Sequence, residues 1–254
     1  MSLLACEGLT RRFGGVAAVD ALDFAVEAGR VHAVIGPNGA GKTTLFNLIA
    51  GIYAPSAGRI RLDGEDVAGL PTHARAALGL QRTFQNPQIF AGMSAIENVM
   101  AGRWLRSSRS WTGGLLRLPA SARADRADRA RAAELMREVG LERYLEADAD
   151  AMPYGALKRL EIARALAAEP RLLLLDEPAA GLNPRETAEI EELIRRIAAR
   201  GVTIVLVEHD MKLVMGVCER ILVLDYGRRL AEGTAAEIRA NPDVIRAYLG
   251  AAAA

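Results

Sequence analysis

The sequence has few cysteines and almost no net charge. Its 254 residues contain two cysteines, Cys6 and Cys218, which lie far apart and form no C-x-x-C pair. We therefore expect reduced thiols in a cytosolic protein and not a disulfide framework. The formal net charge is +1, which provides no strong field to attract nucleic acid or acidic lipid. The composition thus gives no indication of a nucleic-acid partner.

Long apolar runs are also missing. Runs such as residues 172–175 and 221–224 are far shorter than the roughly 20 residues needed to span a bilayer. The first residues lack the basic start and sustained apolar stretch of a secretory signal. We therefore expect a soluble chain, which another chain would have to hold if it acts at a membrane.

Lysine is scarce. The 32 basic residues comprise 29 arginines and only three lysines, Lys42, Lys158 and Lys212. Because arginine fills nearly every basic position, a lysine indicates a specific requirement at its site.

Apolar, β-rich runs alternate with helical segments along most of the chain. Helices are predicted over residues 43–51, which end in Gly51, and over 184–201, which start with Pro184. Residues 58–67 predict an exposed hairpin that turns at Asp63-Gly64. Other strands are predicted over residues 30–36, 171–178, 202–209, 219–225 and 227–233. This alternation predicts an α/β fold with a mostly parallel sheet covered on both faces.

Strand signals vanish from about Ser94 to Gly140. Residues 121–140 are strongly helical and charged, and the Arg/Asp pattern in 121–131 is typical of a solvated helix face. We therefore expect a single domain over residues 1–254. In it, a helical lobe of about residues 87–167 is inserted between two halves of the α/β core, residues 1–86 and 168–254.

A glycine-rich stretch after the first buried strand matches the phosphate-binding pattern G-x-x-x-x-G-K-[ST]. Glycine allows the chain to curl until several backbone N–H groups converge on a phosphate, and a helix must begin there. Lys42 would reach the β- and γ-phosphates, and the Thr43 hydroxyl would reach Mg²⁺. The predicted nucleotide-binding residues are Gly36, Pro37, Asn38, Gly39, Ala40, Gly41, Lys42, Thr43 and Thr44.

Two carboxylates stand at the end of the buried strand predicted over residues 171–178. Asp176 is predicted to hold Mg²⁺, because this position at the end of a core strand carries the metal carboxylate in P-loop enzymes. Glu177 should point differently and is predicted to polarise the attacking water. Alternatively, both carboxylates form a helix cap or a solvated strand end. The guanine-reading pattern N-K-x-D is missing, which argues against a GTPase.

The phosphate-loop motif GPNGAGKTT is followed along the chain, in this order, by RTFQN, KRLEIARAL, LLLLDEP and IVLVEHD. The sequence thereby resembles the ATP-binding-cassette (ABC) transporter ATPases over nearly its whole length. The resemblance implies a P-loop ABC core with an antiparallel β subdomain and a helical lobe. It implies that Phe13 stacks on adenine, Gln85 reaches Mg²⁺ and the attacking water, and His209 contacts the γ-phosphate. Phe13 could alternatively pack on the core. Residues 180–183 resemble the loop that crosses the dimer interface.

The stretch MPYGALKRLEIARAL occupies the place where most such ATPases have L-S-G-G-Q. That turn binds the ATP held by the opposite subunit, so Tyr154 and Gly155 are predicted nucleotide-binding residues. Pro153 and Ala156 stand where the pattern has serine and glutamine. Either this site is degraded, or backbone N–H groups near Gly155 and a helix start at about Ala156–Arg159 bind the phosphate. We favour the second interpretation.

Three segments resemble the corresponding segments in the ATPases of branched-chain (hydrophobic) amino acid importers. They are the P-Y-G turn, the Arg/Trp-rich stretch 103–119 and the C-terminal residues 241–250. This implies ATP and Mg²⁺ as ligands, and a second ABC ATPase subunit, related or identical. It also implies two transmembrane permease subunits, indirect contact with a periplasmic substrate-binding protein, and a place at the cytoplasmic face of the inner membrane. A lipopolysaccharide or lipid export ATPase and a soluble cassette ATPase remain alternatives. The transported substrate is implied by resemblance alone.

Overall fold

The computed structural model of the chain describes residues 2–107 and 119–251. The strands are β1 (Ser2–Phe13), β2 (Val16–Glu27), β3 (Val31–Ile35), β4 (Ala57–Leu62), β5 (Glu65–Asp66), β6 (Leu80–Arg82), β7 (Leu172–Asp176), β8 (Thr203–Val207), β9 (Arg220–Asp225) and β10 (Arg228–Gly233). The helices are α1 (Lys42–Ala50), α2 (Thr72–Ala77), α3 (Ala95–Gly102), α4 (Pro119–Glu138), α5 (Tyr154–Ala167), α6 (Pro184–Ala199), α7 (Met211–Val217), α8 (Ala235–Ala240) and α9 (Pro242–Ala251). Two short 3₁₀ turns lie at Glu142–Tyr144 and Ala149–Ala151.

The strands form two sheets. One has four strands in the order β2-β1-β4-β5, and its pairs are antiparallel. The other has six strands in the order β10-β9-β3-β8-β7-β6, and it is parallel apart from the β9–β10 pair. The predicted α/β class, with a mostly parallel core and an antiparallel β subdomain, is confirmed.

The central strands are buried along their full length. Every residue of β3, β7 and β8 is buried, as expected for parallel strands covered on both faces. Because the strands are parallel, their carboxyl ends meet at one edge of the sheet. This edge carries the residues that follow β3, β7 and β8, which include the predicted phosphate loop and the predicted catalytic carboxylate.

The long strands β1 and β2 were not predicted. Their pairing shifts register at several points, and Gly8, within the shift between Cys6 and Leu9, has φ 55°. These bulges break the strict alternation of buried and exposed residues by which a half-buried strand is recognised. The predicted hairpin at Asp63-Gly64 is present, between β4 and β5.

The chain divides into two compact units. The first runs up to Arg82 and includes Arg171–Ala180 and the described residues from Thr187 onward, with both sheets. The second comprises the described residues of Thr83–Pro170 together with Gly181–Glu186.

The second unit is helical in its described part, with α3, α4 and α5 packed together. A capping box starts α3, because the Ser94 side chain accepts from the Glu97 N–H and Glu97 accepts from the Ser94 N–H. The helix predicted over 121–140 corresponds to α4. Much of the Arg/Trp-rich stretch 103–119 lies outside the described residues. Within the described ranges, no helix has the length and apolar character required to cross a bilayer.

Candidate functional site

The phosphate loop in the first unit depends on two glycines. Gly36 follows β3 with φ 151°, and a Cβ there would lie 2.2 Å from the Leu224 carbonyl oxygen. Gly41 has φ 101°, and a Cβ there would lie 2.3 Å from the Ala18 carbonyl oxygen. No side chain fits in either place, so the loop keeps this curl only with glycine at both positions.

The loop leads directly into α1, whose N-cap is Gly41. No side chain caps this helix start, and its first turn contains no acidic residue. The first N–H groups of α1 are therefore available to an anion, and the positive end of the helix dipole favours one. Asn38 and Gly39 are exposed at the loop, whereas Ala40 is buried and accepts a hydrogen bond from the Gly227 N–H at 2.9 Å.

Lys42 folds back over the loop. Its Nζ donates hydrogen bonds to the carbonyl oxygens of Gly36 at 2.7 Å and Pro37 at 2.9 Å. Burial lowers the pKa of Lys42, and the negative charges of Glu177 and Asp176 oppose that shift. The ammonium group is thus held beside the loop and within the field of both Asp176, the predicted metal ligand, and Glu177, the predicted base.

Asp176 and Thr43 offer oxygen ligands for a divalent cation. Asp176 ends β7 and is only 6% exposed, and Thr43 is exposed in the first turn of α1, followed by the partly buried Thr44. Mg²⁺ prefers oxygen ligands and is commonly held by one or two carboxylates together with substrate phosphates. This donor set fits Mg²⁺. Across the described residues, no cluster of three or more His, Cys, Asp or Glu side chains could hold a metal ion.

Glu177 and Asp176 have different partners. Asp176 Oδ2 accepts from Arg82 Nη2 at 2.7 Å, whereas Glu177 Oε1 lies 3.1 Å from His209 Nε2. Glu177 has φ 49°, a conformation that non-glycine residues rarely adopt. Its N–H donates to the Val207 carbonyl oxygen at 2.9 Å. The backbone therefore aims Glu177 at His209, so that two predicted catalytic side chains meet.

Glu208 is a buried carboxylate that the sequence analysis did not select. It is 3% exposed, and it accepts hydrogen bonds from the Ala179 N–H at 2.7 Å and the His209 N–H at 2.8 Å. It thereby joins the segment after Glu177 to the segment that carries His209. The sequence signal for it is an acidic residue placed directly after a continuous apolar strand.

Phe13 lies at the end of β1 and is 42% exposed. Its ring meets Tyr53 edge-on with 5.4 Å between centroids, and the Arg11 guanidinium lies 4.7 Å from its centroid. The ring is thus packed on one side and still exposed. Its contact with adenine stays a prediction.

The second unit contains Tyr154 and Gly155 at the start of α5, where Pro153 is the N-cap residue. The N–H groups of Ala156 and Leu157 already donate to the Pro153 carbonyl oxygen, at 2.9 and 3.0 Å. The helix therefore starts at Tyr154, before the predicted start at Ala156–Arg159. That prediction is wrong because Pro153 continues directly into the helix without a longer turn.

The loop Gly181–Glu186 lies against this helix start. A Cβ on Gly155 would lie 2.6 Å from Glu186 Oε1, and a Cβ on Gly181 would lie 3.2 Å from the Tyr154 ring. The Asn183 side chain accepts from the N–H groups of Arg185 and Glu186, both at 3.0 Å. A side chain at position 155 would therefore have to displace the Glu186 carboxylate, which is the far end of a flexible side chain.

Gln85 also belongs to the second unit, and its side chain is exposed. Its backbone oxygen accepts from Lys158 Nζ at 2.6 Å, and the Glu161 carboxylate accepts from the N–H groups of Phe84 at 3.2 Å and Gln88 at 3.4 Å. Lys158 and Glu161 are buried on α5, and burial raises the pKa of Glu161. Two charges of α5 thus hold the backbone around Gln85. The scarcity of lysine was the signal that could have identified Lys158.

Two family models match the chain. One, described as ABC transporter, matches residues 19–180. The other, described as Branched-chain amino acid ATP-binding cassette transporter, matches residues 228–254.

Known relatives match nearly the whole chain. The chain is 47% identical over 251 residues to the high-affinity branched-chain amino acid transport ATP-binding protein BraF of Pseudomonas aeruginosa, with 98% of both chains covered. It is 45% identical, with the same coverage, to the corresponding protein LivG of Escherichia coli K12. The lipopolysaccharide export system ATP-binding protein LptB of the same organism is 35% identical over 250 residues, again with 98% of each chain covered.

Solved structures agree with the fold. A nucleotide-free ATP-binding cassette from an ABC transporter superimposes with a TM-score of 0.85 at 28% identity, covering 98% of this chain and 99% of its own. The ADP conformation of the ATP-binding cassette MJ1267 gives a TM-score of 0.84 at 28% identity, with the same coverage.

Proposed function

The chain belongs to the ABC transporter family of ATP-binding proteins, and from this premise we propose that it is the ATP-hydrolysing subunit of an importer for branched-chain and other hydrophobic amino acids. The observation that carries the proposal is the set of groups at one edge of the parallel sheet. Lys42 lies within the field of Asp176 and Glu177, and Glu177 meets His209. The match of residues 228–254 to the branched-chain model supports the substrate class.

The phosphate loop would bind the triphosphate of ATP. The backbone N–H groups of the loop and of the first turn of α1 face the anion, and Lys42 exchanges its bonds to Gly36 and Pro37 for bonds to the β- and γ-phosphates. Thr43 and Asp176, with Gln85, would hold Mg²⁺. When bound, the ion neutralises charge on the phosphate oxygens. Phe13 would stack on the base.

Glu177 would act as the general base. It is held 3.1 Å from His209 Nε2, and its backbone has the unusual φ of 49°. Glu177 takes the proton of a water placed in line with the γ-phosphate, and His209 orients the carboxylate and contacts that phosphate. Glu208 keeps both segments in place through the N–H groups of Ala179 and His209.

The active assembly would contain two ABC ATPase subunits that close over two ATP molecules. Tyr154 and Gly155 would present the start of α5 to the γ-phosphate bound by the opposite subunit. Because ATP binds the closed pair of ATPase subunits better than the open pair, it shifts the equilibrium toward closure. This closure, at the cytoplasmic face of the membrane, drives the conformational change of two transmembrane permease subunits. A substrate-binding protein would meet the permeases on the opposite side.

Purification of the intact complex from the native host tests this proposal. We expect two permease chains and a second ATPase chain to co-purify, and the associated substrate-binding protein to carry an aliphatic amino acid that mass spectrometry identifies. Co-purification with lipid-export components instead would refute the importer assignment while leaving the ATPase assignment intact.

A further inference from the structure

Arg82 is a buried cation next to the carboxylate proposed to hold Mg²⁺. It ends β6, and its side chain is 7% exposed. Its Nη2 donates to Asp176 Oδ2 at 2.7 Å, and its Nη1 donates to Asn47 Oδ1 at 2.6 Å. The guanidinium also lies 5.6 Å from the Phe46 ring centroid. Charged side chains are rarely buried unless they are paired, so this arrangement is a specific feature of the site.

We infer that Arg82 is the resident counter-ion of Asp176 and makes the binding of a divalent cation depend on the nucleotide. The inference rests on the proposed assignment of Asp176 to Mg²⁺. The site discriminates against a divalent cation that arrives without nucleotide, because Arg82 already balances the charge of the Asp176 carboxylate.

The electrostatic argument uses the proximity of the two charges. A free divalent cation that approaches Asp176 meets a carboxylate already paired with Arg82 and the uncharged hydroxyl of Thr43. The nearby charges of Lys42 and Glu177 offset each other. The phosphates of ATP supply the missing negative charge, so the cation binds together with the nucleotide. At an effective dielectric constant near 20, a unit charge this close changes the affinity for a divalent cation by at least about tenfold.

Arginine suits this task better than lysine. Its planar fork donates to Asp176 and to Asn47 at the same time, whereas the ammonium of lysine lacks this fixed geometry. Asn47 belongs to α1, the helix that starts at the phosphate loop. Arg82 therefore orients the metal carboxylate relative to the same helix that presents its N-terminus to the phosphates.

Mn²⁺ binding to the purified full-length chain, measured from the electron paramagnetic resonance signal of the free ion, tests this inference. Titrations are run without nucleotide and with the non-hydrolysable analogue adenylyl imidodiphosphate. In Arg82→Gln we expect Mn²⁺ affinity without nucleotide to rise at least about tenfold, and the gain from nucleotide to shrink accordingly. Arg82→Lys keeps the charge and should stay within about threefold of wild type.

Loss of half of a buried ion pair can prevent folding, so Asn47→Asp serves as the second variant. It retains Arg82 but adds a carboxylate that competes for it, and it should also tighten Mn²⁺ binding without nucleotide. Asn47→Ala is the matched control, because it removes the same hydrogen bond without adding charge, and it should leave the affinity unchanged. Circular dichroism verifies the fold of each variant.

The outcomes separate this inference from the proposed function. In one outcome, Arg82→Gln and Asn47→Asp bind Mn²⁺ without nucleotide no more tightly than wild type, while Asp176→Asn still abolishes nucleotide-dependent binding. That result would overturn the counter-ion role of Arg82 alone. Nucleotide-dependent binding that persists in Asp176→Asn would instead refute the assignment of Asp176 to the metal.

Discussion

Replacing Glu208 with alanine removes the buried carboxylate that joins the segments on either side of the Glu177–His209 pair. The N–H groups of Ala179 and His209 then lose their acceptor. The Ala179 N–H makes a buried bond, whereas the bond of the His209 N–H is only partly buried. A buried donor without an acceptor costs about 1–3 kcal/mol, so the unfolding free energy should fall by about 1–3 kcal/mol. For a chain of this size, 1 kcal/mol lowers the melting temperature by roughly 2–4 °C, so a decrease of about 2–12 °C is expected.

The catalytic effect should be larger than the effect on binding. Loss of Glu208 loosens the loop after Glu177 and the position of His209, whereas the phosphate loop and Lys42 are retained. We therefore expect kcat for ATP to fall by at least about tenfold, while the dissociation constant of Mg-ATP changes less than about threefold.

Thermal unfolding and steady-state ATP turnover are the measurements. Glu208→Gln keeps one acceptor oxygen and should lie between wild type and alanine in both assays. Glu192→Ala is the control, because Glu192 is half exposed and its ion pair with Arg195 spans 3.8 Å, so its effect should stay within about 0.5 kcal/mol. A Glu208→Ala variant with wild-type melting temperature and kcat would refute the reasoning.

Gly155→Ala should lower ATP turnover of the assembled complex but not nucleotide binding by the isolated chain, since its Cβ would lie 2.6 Å from Glu186 Oε1 and displace that side chain. Burial raises the pKa of Glu161, so Glu161 keeps its proton to higher pH in the folded state than in the unfolded state. The free energy of unfolding therefore falls as the pH rises from the usual glutamate pKa through the raised pKa. Glu161→Gln should flatten the fall in melting temperature that begins above the usual glutamate pKa, and an unchanged slope there would contradict the assigned cause. Burial raises the pKa of Cys6 to about 12 and also raises the pKa of Cys218. A disulfide reagent at pH 8 should therefore label neither thiol before the chain unfolds. Rapid labelling of the native chain would contradict this burial.

The fold and the central motif could be predicted because their signals are local. The phosphate loop is a contiguous pattern, and the buried strands β3, β7 and β8 are continuous apolar runs between turn residues. By contrast, β1 and β2 carry bulges that disrupt their periodicity. A single sequence shows alternation but not where a bulge resets it.

The residues that support the site could not be predicted, because their roles depend on contacts between distant segments. Arg82 looks like any strand-end arginine until β6 pairs with β7 and brings it to Asp176. Lys158 lies on a helix that the sequence indicates, but its bond to the Gln85 carbonyl oxygen joins residues 73 positions apart. The rarity of lysine was the only local signal, and it did not identify the partner.

Steady ATP turnover by the purified transporter complex carrying Glu177→Gln is the most direct test of the account. We predict that turnover falls at least about a hundredfold, while Mg-ATP still binds and the two ATPase subunits remain closed together on size-exclusion chromatography. The Lys42→Ala complex, run in parallel, should lose nucleotide binding itself. Turnover at the wild-type rate in the Glu177→Gln complex would contradict the assignment of the base and the chemistry built on it.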